Sequence, residues 1–325
     1  EATYGNVASF GNPDNNWGRG LTVLPLSNLN LTDAEKMLTQ FTLRVGTRSG
    51  DANYYIDNIA MTWEIGSSPT YSVQIVEKTP AEKDAILTDA LELYIQGMMQ
   101  ACDGKVKSWD IVSDPMDDDN PSELKGDPTG TDFYWQDYLG REYVRKAVRL
   151  ARKHGGNDLK LFVNDYGLEA NADKCKGLTD MVKFWESDGI TKIDGIGVRM
   201  HMIYSLNPAT QKVYEDEVTI MFNSLKESGK LIRISALDMQ ITDAEGAAMN
   251  TANVSVEQQK AMSKYYNFIL LKYFEIIQSS QRAGITHWNS LESISYIGLW
   301  YGNFDRKYTY IGFADGLAGK ETSTE

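Results

Sequence analysis

Two patterns of hydrophobic and polar positions divide the chain. In residues 1–66, short runs such as FTLRVGT (41–47) and YYIDNIAMTWEI (54–65) alternate apolar and polar residues, and clusters of Gly, Asn, Asp and Pro separate them. Alternation with a period of two is typical of half-buried strands joined by turns. A complete β-sandwich needs about 100 residues. The pattern therefore predicts that residues 1–66 are the C-terminal part of a β-sandwich domain.

A different pattern covers residues 67–325. Apolar runs of strand length alternate five times with amphipathic segments of helix length. The predicted helices span residues 80–101, 138–154, 173–188, 208–228 and 256–279, and the predicted strands span 105–112, 159–166, 193–200, 231–239 and 284–290. Each strand is rich in Val, Ile and Leu, which is typical of parallel strands buried on both faces. The sequence therefore predicts an α/β domain of the (β/α)8 TIM-barrel type, with functional groups at the strand ends.

The charge balance narrows the class of partner. The chain has 45 acidic and 32 basic residues and a net charge of −13, which disfavours nucleic acid and favours a neutral ligand. The two cysteines, Cys102 and Cys175, have the spacing of neither a zinc site nor a disulfide framework, so both are expected to be buried thiols. No apolar run approaches roughly 18 residues and the chain does not open with a signal peptide. We therefore expect no membrane span, and a leader removed on export stays an open alternative.

Each predicted strand ends in a distinctive motif. In chain order these are KSWDIVSDPMDD, LFVNDYG, IDGIGVRMHM, LIRISALDM and GITHW. In order and spacing they resemble barrel strands four to eight of the family 10 glycoside hydrolases, which are (β/α)8 xylanases. The segment FTLRVGTRSGDANYYIDNI resembles the last strands of a family 4 carbohydrate-binding module, which Bacteroidetes members carry after barrel strand three. The resemblance thus implies a module tail followed by strands four to eight, with strands one to three supplied by another polypeptide segment.

The resemblance locates the two positions at which the family carries catalytic glutamates. These enzymes hydrolyse β-1,4-xylan with retention, using an acid/base and a nucleophile about 5–5.5 Å apart. Asp114 stands at the acid/base position and Ala236 at the nucleophile position. The aspartate retracts its carboxyl group by about 1.5 Å, and a misplacement of about 1 Å can cost about a hundredfold in rate. Alanine forms no covalent intermediate, and Asp238, about 6.5 Å further along the same strand face, is expected to contact substrate rather than to replace it.

Other positions of the implied sugar site also differ from the family pattern. Ser113 replaces the asparagine that contacts the sugar beside the nucleophile, Arg199 replaces a common glutamine, and Gly167 replaces a common asparagine. The loop between Trp288 and Trp300, LESISYIG, is shorter than in the family and lacks the tryptophan that covers the reactive sugar. Because these differences concentrate at the strand ends, they indicate a natural pseudoenzyme, although the nucleophile position alone could have been engineered.

A sugar-facing surface is still expected at the strand ends. The resemblance implies substrate contacts at Asn164, Tyr166, His201, Trp288 and Trp300. Each side chain can form a hydrogen bond with a sugar or stack on its ring. A purely structural role is the alternative for each, and for Trp300 burial in the core is the stronger interpretation. A histidine just past an apolar barrel strand favours the cleft for His201.

Two acidic segments are candidates for binding a cation. Asp57, in YYIDN, resembles an aspartate that helps to bind a structural calcium ion in modules of this type. The run DPMDDDNPSEL (114–124) is interpreted as a solvated loop that follows a barrel strand. No other cofactor is implied.

Three classes of function stay open at this point. The favoured one is a xylan- or β-glycan-binding protein on a family 10 scaffold, catalytically impaired and located outside the cell, at its surface or in the periplasm. The alternative is a retaining endo-β-1,4-xylanase with an engineered or unusual active site. The third is a fragment without independent activity, because an open five-stranded barrel exposes sheet edges. The first two differ in whether xylo-oligosaccharides are bound or cleaved.

Overall fold

The structure is a computed structural model that describes residues 78–127, 132–288, 291, 293 and 297–322. Strands and helices alternate along this part of the chain. The helices are α1 Pro80–Cys102, α2 Trp135–Leu139, α3 Tyr143–Gly155, α4 Ala172–Glu186, α5 Pro208–Glu227, α6 Val256–Ile276 and α7 Tyr308–Leu317. The strands are β1 Ser108–Ser113, β2 Lys160–Tyr166, β3 Gly195–Ser205, β4 Leu231–Thr242 and β5 Arg282–His287. The predicted module tail at residues 1–66, with the candidate calcium ligand Asp57, lies outside the described residues and stays a prediction.

The five strands form one parallel sheet in the order β1-β2-β3-β4-β5. Each strand pairs with the next one along the chain, and helices connect successive strands. This is the strand order and direction of a (β/α)8 TIM barrel, so the predicted fold class is confirmed. In the described part of the chain, no helix is long and apolar enough to cross a membrane.

Several predicted elements differ from the structure in their extent, among them β1, predicted over 105–112, and β5, predicted over 284–290. The segment 138–154 is split into α2 and α3 around Gly140, whose φ of 71° a helix cannot accommodate. Strands β3 and β4 are longer than predicted because they stay paired as far as Ser205 and Thr242. The helix α7 was not predicted.

Local capping signals explain where two long helices begin. Thr79 caps α1, accepting a hydrogen bond from the Glu82 N–H while the Glu82 side chain accepts one from the Thr79 N–H. Ser255 and Gln258 form the same reciprocal arrangement at the start of α6. Such capping boxes satisfy two of the amide groups that a helix N-terminus leaves unpaired.

Two glycines on β3 allow side chains of β2 to lie across the sheet. A Cβ atom on Gly195 would lie 2.2 Å from Phe162 Cε1, and one on Gly197 would lie 2.6 Å from Asn164 Oδ1. Any larger residue would collide with these groups. The glycines therefore fix the place of Asn164, one of the predicted site residues.

The sheet is strongly curved, and its concave face is polar. Arg233 on β4 forms an ion pair with Asp110 on β1 and donates to Ser108 Oγ at 3.1 Å. Its guanidinium carbon lies 4.3 Å from the centroid of the Phe162 ring on β2. Strands β2 and β3 lie between β1 and β4, so this contact crosses the inside of the curve. We call this side of the sheet the concave face and the side that packs on the helices the convex face.

Candidate functional site

The C-terminal ends of the strands bring predicted site residues to one edge of the sheet. The neighbouring pairs are Ser113 with Asn164, Tyr166 with Arg199, Arg199 with Ala236, and His201 with Asp238. Asp114 follows directly after β1. In parallel barrels this edge is where functional groups collect.

Asp114, the residue expected at the acid/base position, forms an ion pair with Arg199. Arg199 Nη2 lies 2.8 Å from Asp114 Oδ2, and both side chains are partly exposed. The main chain also holds the aspartate, because the Asp114 N–H donates to the Asn164 carbonyl at 2.7 Å. Asp114 has a φ of 56°, a left-handed conformation that non-glycine residues adopt where surrounding contacts enforce it. Arg199, expected as a substrate contact, is therefore the direct partner of Asp114.

One further atom on each partner of this ion pair is buried. Asp114 Oδ1 and Arg199 Nε lack hydrogen-bond partners within the described residues.

Ala236 lies next to the same arginine. Its side chain is 1% exposed, and its Cα is the cross-strand partner of Arg199. Position 236 thus carries a buried methyl group with a cation on the neighbouring strand. A carboxylate placed there would meet a positive charge.

His201 and Asp238 form a second polar pair further along the strands. His201 Nδ1 lies 2.8 Å from Asp238 Oδ1; the histidine side chain is 37% exposed and the aspartate is fully buried. The carboxylate orients the imidazole ring, and the ring in turn separates Asp238 from solvent. Of the two, His201 presents the accessible surface.

Asn164 is buried and bound to a residue that the motifs did not single out. It is 4% exposed, and its Oδ1 accepts a 2.7 Å hydrogen bond from Ser235 Oγ. Ser235 is an extra residue in β4, because the pairing between β3 and β4 shifts register at Val198 and Arg199. The alternation of residues between the two faces along β4 could not by itself have predicted the position of this serine, because the bulge interrupts it.

Cations surround Tyr166. The centroid of its ring lies 3.8 Å from Lys174 Nζ, 4.6 Å from Lys125 Nζ and 5.3 Å from Arg199 Cζ. Its hydroxyl donates to Asp118 and accepts from Lys125 Nζ at 2.9 Å. Burial and the hydrogen bond to Asp118 raise the pKa of Tyr166 to about 12. Lysine therefore occupies ring surface that was expected to stack on sugar.

The acidic run 114–124 is anchored rather than simply solvated. Asp118 is 54% exposed, yet its Oδ1 lies 2.6 Å from the Nζ of Lys174, which is 2% exposed. The sequence contained a weak signal for this lysine, which falls three residues after Asn171, the N-cap of α4. A cation is unfavourable in the first turn of a helix, so its presence there calls for a specific partner.

The two predicted tryptophans have different surroundings. Trp288 lies just beyond β5, and its side chain is 63% exposed. Its main-chain N–H donates a hydrogen bond to the Leu237 carbonyl oxygen at 3.0 Å. Trp300 is half-buried and packs edge-on against Tyr310, with 5.3 Å between the ring centroids. Trp288 has the exposure needed for stacking, whereas Trp300 mainly fills space beside α7.

Other ionisable groups lie apart from this edge. Burial raises the pKa of the Cys175 thiol to about 11. Cys102 is half-buried, which corrects its expected burial, because it ends α1 near the surface. Among the described residues, no group of three or more His, Cys, Asp or Glu side chains could hold a metal ion.

Parallel strands in sequential order, joined by helices and with ionisable groups at their C-terminal edge, have the arrangement of a TIM barrel. The model of glycosyl hydrolase family 10 matches residues 60–311. The chain therefore belongs to glycosyl hydrolase family 10.

Its relatives include endo-beta-1,4-xylanase Xyn10C of Cellvibrio japonicus, which is 25% identical over 318 residues, covering 90% of this chain and 48% of that protein. A thermostable celloxylanase of Thermoclostridium stercorarium is 32% identical over 146 residues, covering 43% of this chain and 35% of that protein. The solved structure of native xylanase10C from Cellvibrio japonicus has a TM-score of 0.62 at 24% identity and covers 74% of this chain and 53% of its own. The chain thus spans about half, or less, of the length of these relatives.

Proposed function

We propose that this chain binds xylan or a related β-1,4-glycan at the C-terminal edge of its sheet and hydrolyses it poorly or not at all. The observation that carries the proposal is the Asp114–Arg199 ion pair, 2.8 Å from Oδ2 to Nη2, beside the buried Ala236. Family membership supports the substrate class. The resemblance described above assigns these positions to the two catalytic carboxylates.

The chemistry of retaining hydrolysis explains why this arrangement disfavours turnover. One carboxylate must attack the anomeric carbon and a second carboxyl group must protonate the leaving oxygen. Ala236 has no nucleophilic group, and the carboxylate of Asp114 is engaged by Arg199. The guanidinium also adds positive charge where the oxocarbenium-like transition state develops positive charge. All three residues therefore act against catalysis.

Binding does not require the lost glutamates. Trp288 offers an exposed indole ring for stacking on a sugar. His201, held by Asp238, and Ser113, exposed at the end of β1, offer polar groups nearby. Aromatic surface with a few oriented polar groups is the usual composition of a small-ligand site.

We also propose that a segment of three further β/α units completes the barrel and that the protein acts outside the cell, at its surface or in the periplasm. Strands β1 and β5 end the sheet within the described residues, whereas a TIM barrel closes with eight strands. The outward face of α1 exposes Ile86 (48%), Leu93 (71%) and Tyr94 (67%). A neighbouring helix would cover such a patch.

Calorimetric titration with xylohexaose, together with chromatography of the products, tests the proposed function. We expect binding without hydrolysis, and we expect Trp288→Ala to weaken binding by about tenfold, because stacking on one aromatic ring contributes about 0.5–1.5 kcal/mol. Tyr94→Ala, which removes an equally exposed aromatic ring from α1, is the matched control and leaves the affinity unchanged.

Two results would contradict the proposal in different ways. Shorter xylo-oligosaccharides produced faster than in a heat-denatured control would favour the alternative, an endo-β-1,4-xylanase with an unusual active site. If the chain bound neither xylohexaose nor cellohexaose, the binding role itself would be contradicted.

A further inference from the structure

Lys174 lies in an unfavourable environment for a lysine. Its side chain is 2% exposed, and it stands in the first turn of α4, where its N–H donates to the N-cap Asn171. Burial penalises an ammonium group, and the positive end of the helix dipole repels it. Departures from such rules are expected at functional sites.

Two carboxylates compensate this charge, and both hold the loop that follows β1. Lys174 Nζ lies 2.6 Å from Asp118 Oδ1 and 3.4 Å from Asp165 Oδ1. Asp118 belongs to the loop itself. Asp165 Oδ2 accepts a 3.0 Å hydrogen bond from the N–H of Met116, two residues after Asp114. One buried ammonium group is thus connected by two routes to the loop that carries the site aspartate.

We propose that Lys174 is a positioning residue of the sugar site, which holds the loop after β1, and with it Asp114, through Asp118 and Asp165. The clamp is a property of the ligand-free protein. Its effect on sugar affinity rests on the proposed function.

Amide hydrogen exchange of the ligand-free full chain tests the clamp. We expect Lys174→Met to lower the protection of the Met116 amide by about tenfold, since a hydrogen bond to a charged group contributes about 1.5 kcal/mol or more. Lys174→Arg keeps the positive charge and retains the protection. Lys146→Met, which breaks an ion pair between α1 and α3, is the matched control and changes nothing at Met116.

Each outcome decides the proposal. Protection in Lys174→Met equal to that of the parent would overturn the clamp. If Lys174→Met does not fold, Asp118→Asn, at a more exposed position, still decides, because unchanged protection of the Met116 amide in that variant would overturn the hold through Asp118. Xylohexaose titrations of the same variants separate the two proposals. No binding by the parent overturns the proposed function and not the clamp, whereas an unchanged affinity in a variant whose loop has loosened overturns the positioning role.

Discussion

The convex and concave faces of the sheet differ in the side chains that mainly cover them. On the convex face, fully buried apolar residues pack against the helices, among them Leu161, Val163, Val198 and Ile234. On the concave face, polar residues pair with one another across strands: Asp110 with Arg233, Asn164 with Ser235, and Asp114 with Arg199. Both faces belong to the same strands, so alternate residues of one strand serve two different purposes.

This difference separates stability from function. Apolar packing on the convex face contributes in proportion to buried area and does not depend on the partner's chemistry. Each polar pair on the concave face depends on one specific neighbour. A concave substitution can therefore change what the site does while the fold persists.

The largest expected effect comes from breaking the convex face. Leu161→Ala should lower the free energy of unfolding by about 2–5 kcal/mol, because it leaves a cavity under a fully buried strand. Urea denaturation measures this change. Ser113→Ala, on the exposed strand end, is the control and should stay within about 0.5 kcal/mol of the parent. Equal losses for both variants would remove the distinction between the faces.

Two buried ionisable groups should give opposing pH dependences of stability. Burial raises the pKa of Glu169 from 4.5 to about 7 and lowers that of His287 from 6.5 to about 4. Between pH 4.5 and 7 the folded state keeps a proton on Glu169 that the unfolded state has lost, so this group makes stability fall by about 3 kcal/mol as pH rises. His287 makes stability rise with pH between 4 and 6.5.

Denaturation of Glu169→Gln and the parent across pH 4 to 8 isolates the glutamate. We expect the stability of Glu169→Gln relative to the parent to rise through this window. Glu227→Gln, on the exposed surface of α5, should show a constant difference. A constant difference for Glu169→Gln as well would show that Glu169 is not protonated in the folded state.

Restoring the nucleophile alone should restore little activity. In Ala236→Glu the new carboxylate would lie beside Arg199 and form an ion pair with it. We expect its xylohexaose hydrolysis to be about a hundredfold below that of the combined variant Asp114→Glu, Arg199→Gln, Ala236→Glu. Product chromatography measures both rates. Robust hydrolysis by the single variant would indicate that the site lacks nothing except its nucleophile.

The smallest expected effect comes from an ion pair outside both faces. Lys107 and Asp158 are 2.8 Å apart, and both side chains are more than half exposed. Lys107→Met should change the free energy of unfolding by at most about 1 kcal/mol, because water screens the pair. A loss similar to that of Leu161→Ala would contradict this ranking.

The fold was predictable because its signals are local. Apolar runs identified the five strands of the described residues, and amphipathic segments identified helices between them. Helix α7 was missed because its sequence, YTYIGFADGL, has few polar residues to mark an amphipathic pattern and contains two glycines. Its packing on α6 explains them, since a Cβ on Gly312 would lie 1.9 Å from the Ser263 carbonyl oxygen.

The site was predictable only in part. Strand-end motifs identified Asp114, Ala236 and Arg199 as positions of interest, and the structure brings them together. The motifs did not indicate that Arg199 binds Asp114, nor that Lys174 lies against the ring of Tyr166. The first contact depends on the register of the strands. The second depends on how α4 packs against β2.

The amino-acid sequence by itself determined the α/β alternation, the strand ends at which polar groups collect and the presence of Asp114 and Ala236 at two of those ends. Burial repeats every 2 or 3.6 residues along the chain, so it can be read without knowing any distant contact. The tertiary structure alone decided which charges meet, because Asp114 and Arg199, or Asp118 and Lys174, are far apart along the chain. An electrostatic partner depends on distance in space, and that distance exists only once the strands are in register.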